Sequence, residues 1–170
     1  MLEMRAARAE DIDRVMEVYA AAQDYMIASG NPTQWRRAYP TRELIETDVA
    51  FGRCRVLTED GVIRAVAAIC DGEDPAYPGI VGKWLNDEPY ITIHRIASDG
   101  KCRGVFRFVA DECKRLCDNV RVDTHENNRR MRENIAACGF VHCGTVFMAD
   151  GSPRLAFHWS REYEGKNRNI

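Results

Sequence analysis

No stretch of this sequence approaches the ~20 consecutive apolar residues that cross a bilayer, so no membrane span is expected. Charge of one sign is also missing. The 24 Lys and Arg are balanced by 26 Asp and Glu for a net charge of −2, and no global basic field marks a nucleic-acid partner. The opening MLEMRAARAED carries too many charges for the apolar core of a secretory signal, and a cytoplasmic location is expected. There are no internal repeats and no linker, which predicts one domain over residues 1–161 followed by a polar tail at 162–170 that frays. The Gly-Lys-Ser/Thr of a Walker loop is absent, and the glycines of the one candidate anion turn lack the G-x-G-x-x-G spacing of a dinucleotide fold.

Cysteine, by contrast, is plentiful. Cys54, Cys70, Cys102, Cys113, Cys117, Cys138 and Cys143 are odd in number within a chain of 170 residues, which argues against a disulfide framework and for reduced thiols serving mainly as small hydrophobes. Cys113 and Cys117 share a helical face, but no histidine in that segment completes a ligand set, and no metal is expected.

Alternation of Leu2, Met4 and Ala6 with Glu3 and Arg5 predicts a first strand. Ile12, Val15, Met16, Tyr19 and Met26 recur at helical spacing within 10–29, ended by Gly30-Asn31-Pro32. Residues 31–40 read as a loop, and Thr41 as the cap of a second helix with Leu44, Ile45 and Val49 inward. Asp60-Gly61 and Asp150-Gly151 each sit between apolar runs and predict hairpins. Between the first hairpin and the next strand, residues 71–89 form a long irregular stretch rich in Gly and Pro. Then follow a strand over 90–96, a helix over 105–117 with Val105, Val109, Cys113 and Leu116 on one face, a strand over 120–125 and a helix over 128–138 stopped by Gly139. The order predicts a three-layer α/β/α domain with a mixed central sheet.

The segment Ser98-Asp-Gly-Lys-Cys-Arg-Gly104 lies between a predicted strand and a predicted helix. A helix start presents outward backbone N–H groups and positive potential, glycine permits close approach, and Lys101 and Arg103 add charge. The chemistry is that of a phosphate or pyrophosphate site, or else of an ordinary turn with surface cations.

With the element order, two motifs decide between those readings. Lys101-Cys-Arg-Gly104-Val-Phe106 follows the fourth strand of the pattern, and Asn128 precedes Gly139-Phe140 by eleven residues. The chain from Met4 to Trp159 thereby resembles the GNAT acetyltransferase superfamily. That family reads Arg/Gln-x-x-Gly-x-Gly/Ala at the loop, so Lys101 and Phe106 depart from it while Gly104 matches. The resemblance implies acetyl-CoA as co-substrate, its pyrophosphate on Lys101, Cys102, Arg103, Gly104, Val105 and Phe106. Backbone groups at Ile96, Ala97 and Ser98 would meet the pantetheine arm, with Asn128 on the arm's other side. It also implies direct attack of an amine on the thioester. Position 135, where many members carry a tyrosine acid, is Ile135.

His94 and His125 are the candidate bases, since histidine titrates near neutrality; His142 and His158 read as structural. Asp123 or Glu126 could orient His125 or recognise a cationic acceptor. Trp35, Tyr39, Tyr77 and Trp84 fall in the irregular loops and either line an acceptor groove or cover the core edge, and Asp87 and Glu88 could attract an amine or simply be solvated. Cys102, beside Lys101 and Arg103, is expected to favour its thiolate. The expected activity is N-acetyl transfer to a small-molecule or peptide amine. A non-catalytic acyl-CoA-binding module is the alternative, and an unrelated nucleotide-binding domain a remote third. No nucleic-acid or membrane partner is expected, and an exposed final strand could pair two copies of the chain into a homodimer.

Overall fold

The computed structural model describes residues 1–35 and 38–167; Arg36 and Arg37 of the expected 31–40 loop, and 168–170 of the expected tail, lie outside the described residues. The first strand β1 is Leu2–Ala6, followed by a 3-10 turn at Ala9–Asp11, helix α1 at Ile12–Ala28 and α2 at Arg42–Ala50. Next come β2 (Cys54–Glu59), β3 (Val62–Asp71), the two-residue β4 (Val81–Gly82), β5 (Ile91–Ser98) and α3 (Val105–Leu116). The chain continues through β6 (Asn119–Thr124), α4 (Arg129–Ala137), β7 (Val141–Phe147), β8 (Pro153–Ser160) and α5 (Arg161–Asn167).

Among the described residues the strands form one sheet in the order β1-β2-β3-β5-β6-β8-β7-β4. The β5–β6 pair is parallel, whereas β1–β2, β2–β3, β6–β8, β7–β8 and β4–β7 are antiparallel. The α/β class with a mixed central sheet is therefore the one seen. Three expectations change. The final strand β8 is inserted between β6 and β7, so it offers no edge for a second copy. The irregular stretch contributes β4, paired with β7. Residues 161–167 are helical where a frayed tail was expected.

The chain divides into two compact units. The first comprises Met1–Ile69 and His94–Phe108. Its core joins Val15, Val18, Tyr19, Ala22 and Met26 of α1 and Ile45 of α2 to Val56, Ile63, Val66 and Ala97 of the strands. Thr41 caps α2, its hydroxyl accepting from Leu44 N at 3.2 Å. At the first hairpin Asp60 and Gly61 both have positive φ, 52° and 76°, the geometry that matches strand twist and makes Asp-Gly a strong turn signal.

The second unit comprises Cys70–Ile93 and Val109–Ile170. Trp159 of β8 lies under Lys114 of α3, whose ammonium also donates to Cys138 O at the end of α4 (2.6 Å), tying both helices to that side of the strand. On the alternate side, Ala156 and His158 of β8 meet the irregular 71–90 segment through Tyr77 and Trp84. In α3 the buried stripe is Phe106, Val109, Ala110 and Cys113, and Leu116, expected inward, is 73% exposed. The two histidines expected to be structural differ: His158 is fully buried, while His142 is exposed beside the Phe157 ring.

Candidate functional site

The predicted anion turn follows β5 in the first unit, and two side chains build it. Ser98 Oγ accepts from Gly100 N at 3.0 Å, and Asp99 Oδ1 accepts from Lys101 N at 3.0 Å. Each is a short polar side chain satisfying an amide two residues on, which organises a turn without regular structure. Asp99 is anchored from below. Its Oδ2 accepts from Arg14 of α1 at 2.7 Å and from Arg64 of β3 at 3.3 Å, and only 5% of the side chain is exposed. Burial opposes the Asp99 charge, but the Lys101 amide, Arg64 and Arg14 overcome it and hold the carboxyl below its usual range. The one carboxylate inside the turn is thus neutralised internally, while Lys101 and Arg103 remain exposed.

Gly100 and Gly104 have φ of 78° and 72°, which glycine adopts without the Cβ penalty of other residues. A Cβ built at either meets no atom within 4 Å, so the space outside the loop backbone is open. Helix α3 begins at once, Phe108 N donating to Gly104 O at 2.9 Å. Open glycine backbone, a helix start and two exposed cations fit a phosphate-bearing ligand. Phe106, the bulky departure from the family loop, is buried at 4% exposure, so its ring does not stand in that space.

Upstream on β5, parallel pairing with β6 runs over Ile91, Thr92 and Ile93. Two residues later Arg95 has φ of 48°, one of two non-glycine residues with positive φ among those described. Ile96, Ala97 and Ser98 follow this kink directly, and His94, half-buried, precedes it. Sequence reasoning missed Arg95, Asp48 and the Arg14–Arg64–Asp99 anchor. A signal for Asp48 was present: it stands three residues after Ile45, on the apolar face of α2, where a charge needs a partner.

In the second unit, His125, Glu126 and Asn128 lie in the turn between β6 and α4. Asn128 is the N-cap of α4, its side-chain oxygen accepting from Met131 N at 3.3 Å. Nδ1 of His125 accepts from Asn127 N at 3.1 Å. Burial, followed by Arg154, lowers the His125 pKa against the opposing pull of Glu126, so the ring is neutral at pH 7. A neutral imidazole has one lone pair, and here it is occupied, so Nε2 presents a proton and not a base. Asp123 Oδ2 accepts from the buried Tyr77 hydroxyl at 2.8 Å.

The aromatic residues divide. Trp35 is 9% exposed in the core of the first unit, edge-on to Tyr19 with ring centroids 5.6 Å apart; beside it stands Tyr39, 37% exposed, at 6.4 Å. Of this pair only Tyr39 reaches solvent substantially. Trp84, expected at an acceptor groove, is 8% exposed and packs on Tyr77 at 5.0 Å, its indole N–H donating to Tyr77 O at 3.2 Å. It covers the sheet. The expectation for Cys102 also changes. Burial, then Asp99 and Glu59, push its thiol above the ordinary value against the opposing Ser98 hydroxyl and Arg64, so the thiolate is disfavoured. Ile135, at the family's tyrosine position, is fully buried. Among the described residues no group of three or more His, Cys, Asp or Glu could hold a metal ion, and no helix is long and apolar enough to cross a membrane.

No family model matches the chain, and neither does any curated protein. Solved structures do. A GNAT-family acetyltransferase from Streptococcus agalactiae is 33% identical, over 94% of this chain and 95% of that one, with a TM-score of 0.81. A GNAT-family acetyltransferase from Listeria monocytogenes is 17% identical over 94% of each chain, with a TM-score of 0.70. The ribosomal-protein-S18-alanine N-acetyltransferase from Escherichia coli is 14% identical over 94% of each, with a TM-score of 0.60. The last two share the fold. The first adds one-third identity along almost the whole of both chains, and this chain belongs to the GNAT family of acetyltransferases.

Proposed function

We propose that this chain is an acetyl-CoA-dependent N-acetyltransferase that passes the acetyl group directly to a primary amine of a small molecule or peptide. The observation that carries the reading is the 98–104 turn: two glycines in left-handed backbone with open space outside them, an internally neutralised carboxylate, and two exposed cations at a helix start. Acetyl-CoA supplies the acetyl group as an activated thioester. Lys101, Arg103 and the loop amides would hold its pyrophosphate, and a β5 amide between Ile96 and Ser98 would polarise the thioester carbonyl. Asn128 would contact the arm. His94 and His125 are the candidates for deprotonating the acceptor, and Nδ1 of His125 already accepts from Asn127 N. Tyr39 and Glu126 are the remaining candidates for contact with the acceptor.

A second reading, a non-catalytic acyl-CoA-binding module, is favoured by one feature: the aliphatic, buried Ile135 where the family commonly places an acid. The two readings part in one experiment. The thermal midpoint is measured with acetyl-CoA and with ATP, and turnover is then screened over an amine panel. A shift with acetyl-CoA alone, plus turnover, supports the enzyme; a shift without turnover on any amine supports the binding module; no shift with acetyl-CoA overturns both. In an active protein, His94→Ala is expected to lower kcat by about a hundredfold or more with acetyl-CoA binding retained, and His125→Ala by less.

A further inference from the structure

Arg95 is a bulky residue in a backbone conformation that L-residues disfavour, in mid-strand, with no turn to require it. Such a kink persists only where its surroundings hold it, and two elements do so. From α2, Asp48 directs one carboxylate oxygen at the guanidinium, accepting from Nη2 at 2.6 Å and from Nε at 3.1 Å. The pair is buried, with 2% of the Asp48 and 13% of the Arg95 side chain exposed. From α1, the Tyr19 hydroxyl donates to the backbone carbonyl of Arg95 at 2.9 Å. Tyr19 is 1% exposed, and burial raises its pKa well above the usual value, so the hydroxyl keeps its proton and remains a donor. Burial opposes the Arg95 charge too, but Tyr39 and Asp48 more than restore it.

Two side-chain bonds to one carboxylate and one main-chain bond therefore grip a single residue from two helices. A buried ion pair is a weak source of net stability, because desolvation consumes most of the attraction, and an apolar pair of similar volume commonly serves as well. What an apolar pair cannot do is fix a guanidinium, and the backbone behind it, in one direction. The next three residues are Ile96, Ala97 and Ser98, and then the turn begins.

We propose that Asp48 is a positioning residue for the acetyl-donor site, acting through Arg95 to hold β5 in the kink that aims the backbone of Ile96–Ser98. Tyr19 is its second support. This inference rests on the function proposed above, in which those amides meet the acyl end of acetyl-CoA. The device is static: a carboxylate and a hydroxyl, on separate helices, set the direction of a strand that carries the reacting group's contacts.

The test uses the full chain and acetyl-CoA labelled with 13C at the thioester carbonyl. Wild type, Asp48→Asn, Arg95→Ala and Arg95→Gly are compared for thermal midpoint, for the dissociation constants of CoA and acetyl-CoA, and for the carbonyl resonance of the bound ligand. In wild type, a hydrogen bond from β5 displaces the resonance from its free position. Asp48→Asn is expected to return it toward that position and to weaken acetyl-CoA by about tenfold while CoA changes less. Arg95→Gly, which adopts φ of 48° without strain, is expected to recover part of the displacement that Arg95→Ala loses. Equal weakening of CoA and acetyl-CoA, with an unmoved resonance or with Gly no better than Ala, would make the pair merely structural and overturn the proposal. Wild type that binds neither ligand would instead overturn the function on which it rests. Because chemical shift is read on bound ligand, a variant of lowered thermal midpoint remains informative wherever it binds, and Asp48→Glu, which keeps the charge, is expected to recover the signal in part.

Discussion

Leu85 donates its backbone N–H to Nδ1 of His158 across 3.2 Å, so the irregular 71–90 segment is tied to the final strand by a histidine that must stay neutral. Nε2 of the same ring faces Asn119 Oδ1 at 3.2 Å, which assigns the proton to Nε2. Burial, followed by the nearby Arg121 charge, pushes the His158 pKa down to about 3 from an ordinary 6.5. The unfolded chain therefore takes up a proton below pH 6.5 that the folded chain refuses. The stability associated with neutral His158 is complete above pH 6.5 and is lost progressively as pH falls toward about 3. Between pH 7 and pH 5, urea unfolding is expected to show the wild type losing about 2 kcal/mol more than His158→Gln. Equal losses would mean that His158 already carries its proton when folded.

Arg121 supplies part of that push and has an unusual seat of its own. Its guanidinium carbon lies 4.2 Å from the centroid of the Trp84 ring and 3.8 Å from that of Tyr90, and the residue is 4% exposed. Nη2 donates to Asn86 O at 2.8 Å, and Nε has no hydrogen-bond partner among the described residues. Lysine cannot offer a flat face to two rings and is more strongly hydrated, so Arg121→Lys is expected to cost about 1–3 kcal/mol. Arg121→Met, which removes the buried charge, is expected to cost less. Methionine should also flatten the pH dependence of stability below pH 6.5, since His158 then titrates closer to its ordinary value. Denaturant midpoints at two pH values for both variants check the order.

Gly104→Ala adds a methyl group where no protein atom lies within 4 Å, and it demands φ of 72° from an L-residue. The backbone cost is about 1 kcal/mol. Gly151, at φ of 77° in the last hairpin, has the same open surroundings and serves as the control. Both alanine variants should lose similar stability, whereas only Gly104→Ala should weaken CoA binding, by isothermal titration. Lys101→Ala should leave the thermal midpoint nearly unchanged and reduce both the affinity for CoA and its salt dependence.

Cys102 is expected to be a slow thiol. Burial, then Asp99 and Glu59, raise its pKa above the ordinary thiol value, so alkylation by iodoacetamide at pH 7 followed by peptide mass mapping should label it more slowly than an exposed model thiol. Rapid labelling at pH 7 would mean that the neighbouring cations outweigh burial and the Asp99 and Glu59 charges. Cys54, with a pKa pushed up to about 12 by burial and then Asp48, should be the slower of the two.

Much of this protein is written locally. Asp60-Gly61 and Thr41 name a hairpin and a cap because the turn geometry and the capping bond lie within a few residues of one another. Asn128 carries a local role, capping α4, beside the one its place in the family motif implies. Where sequence reading faltered, the competing interaction was distant. In α3, Val109 and Cys113 lie inward as expected, but Phe106 and Ala110 complete the stripe and Leu116 is exposed, because periodicity alone does not choose between adjacent faces. For Trp84, in an irregular segment, the sequence leaves open a groove or a cover over the core edge, and Tyr77, Arg121 and His158 enclose it as a cover. For Cys102 the sequence shows two cationic neighbours, whereas Glu59 and the cost of burial act only through the fold.

By itself the sequence determined the α/β class, the order of the principal elements, the glycine turn with its cations and the two motifs that mark the family. The class, the order and the turn rest on periodicity and turn chemistry, which act over a handful of residues, and the motifs on resemblance to a known family. Only the tertiary structure decided that β8 lies inside the sheet, that Asp99 is neutralised by Arg14 from 85 residues away, and that Asp48 grips Arg95 across 47. Buried charges find partners by folding and not by adjacency, because the cost of leaving one unpaired in the interior exceeds any local preference. Asp48 stands out as a charge on the apolar face of α2, but nothing in the order of residues names Arg95 as its partner.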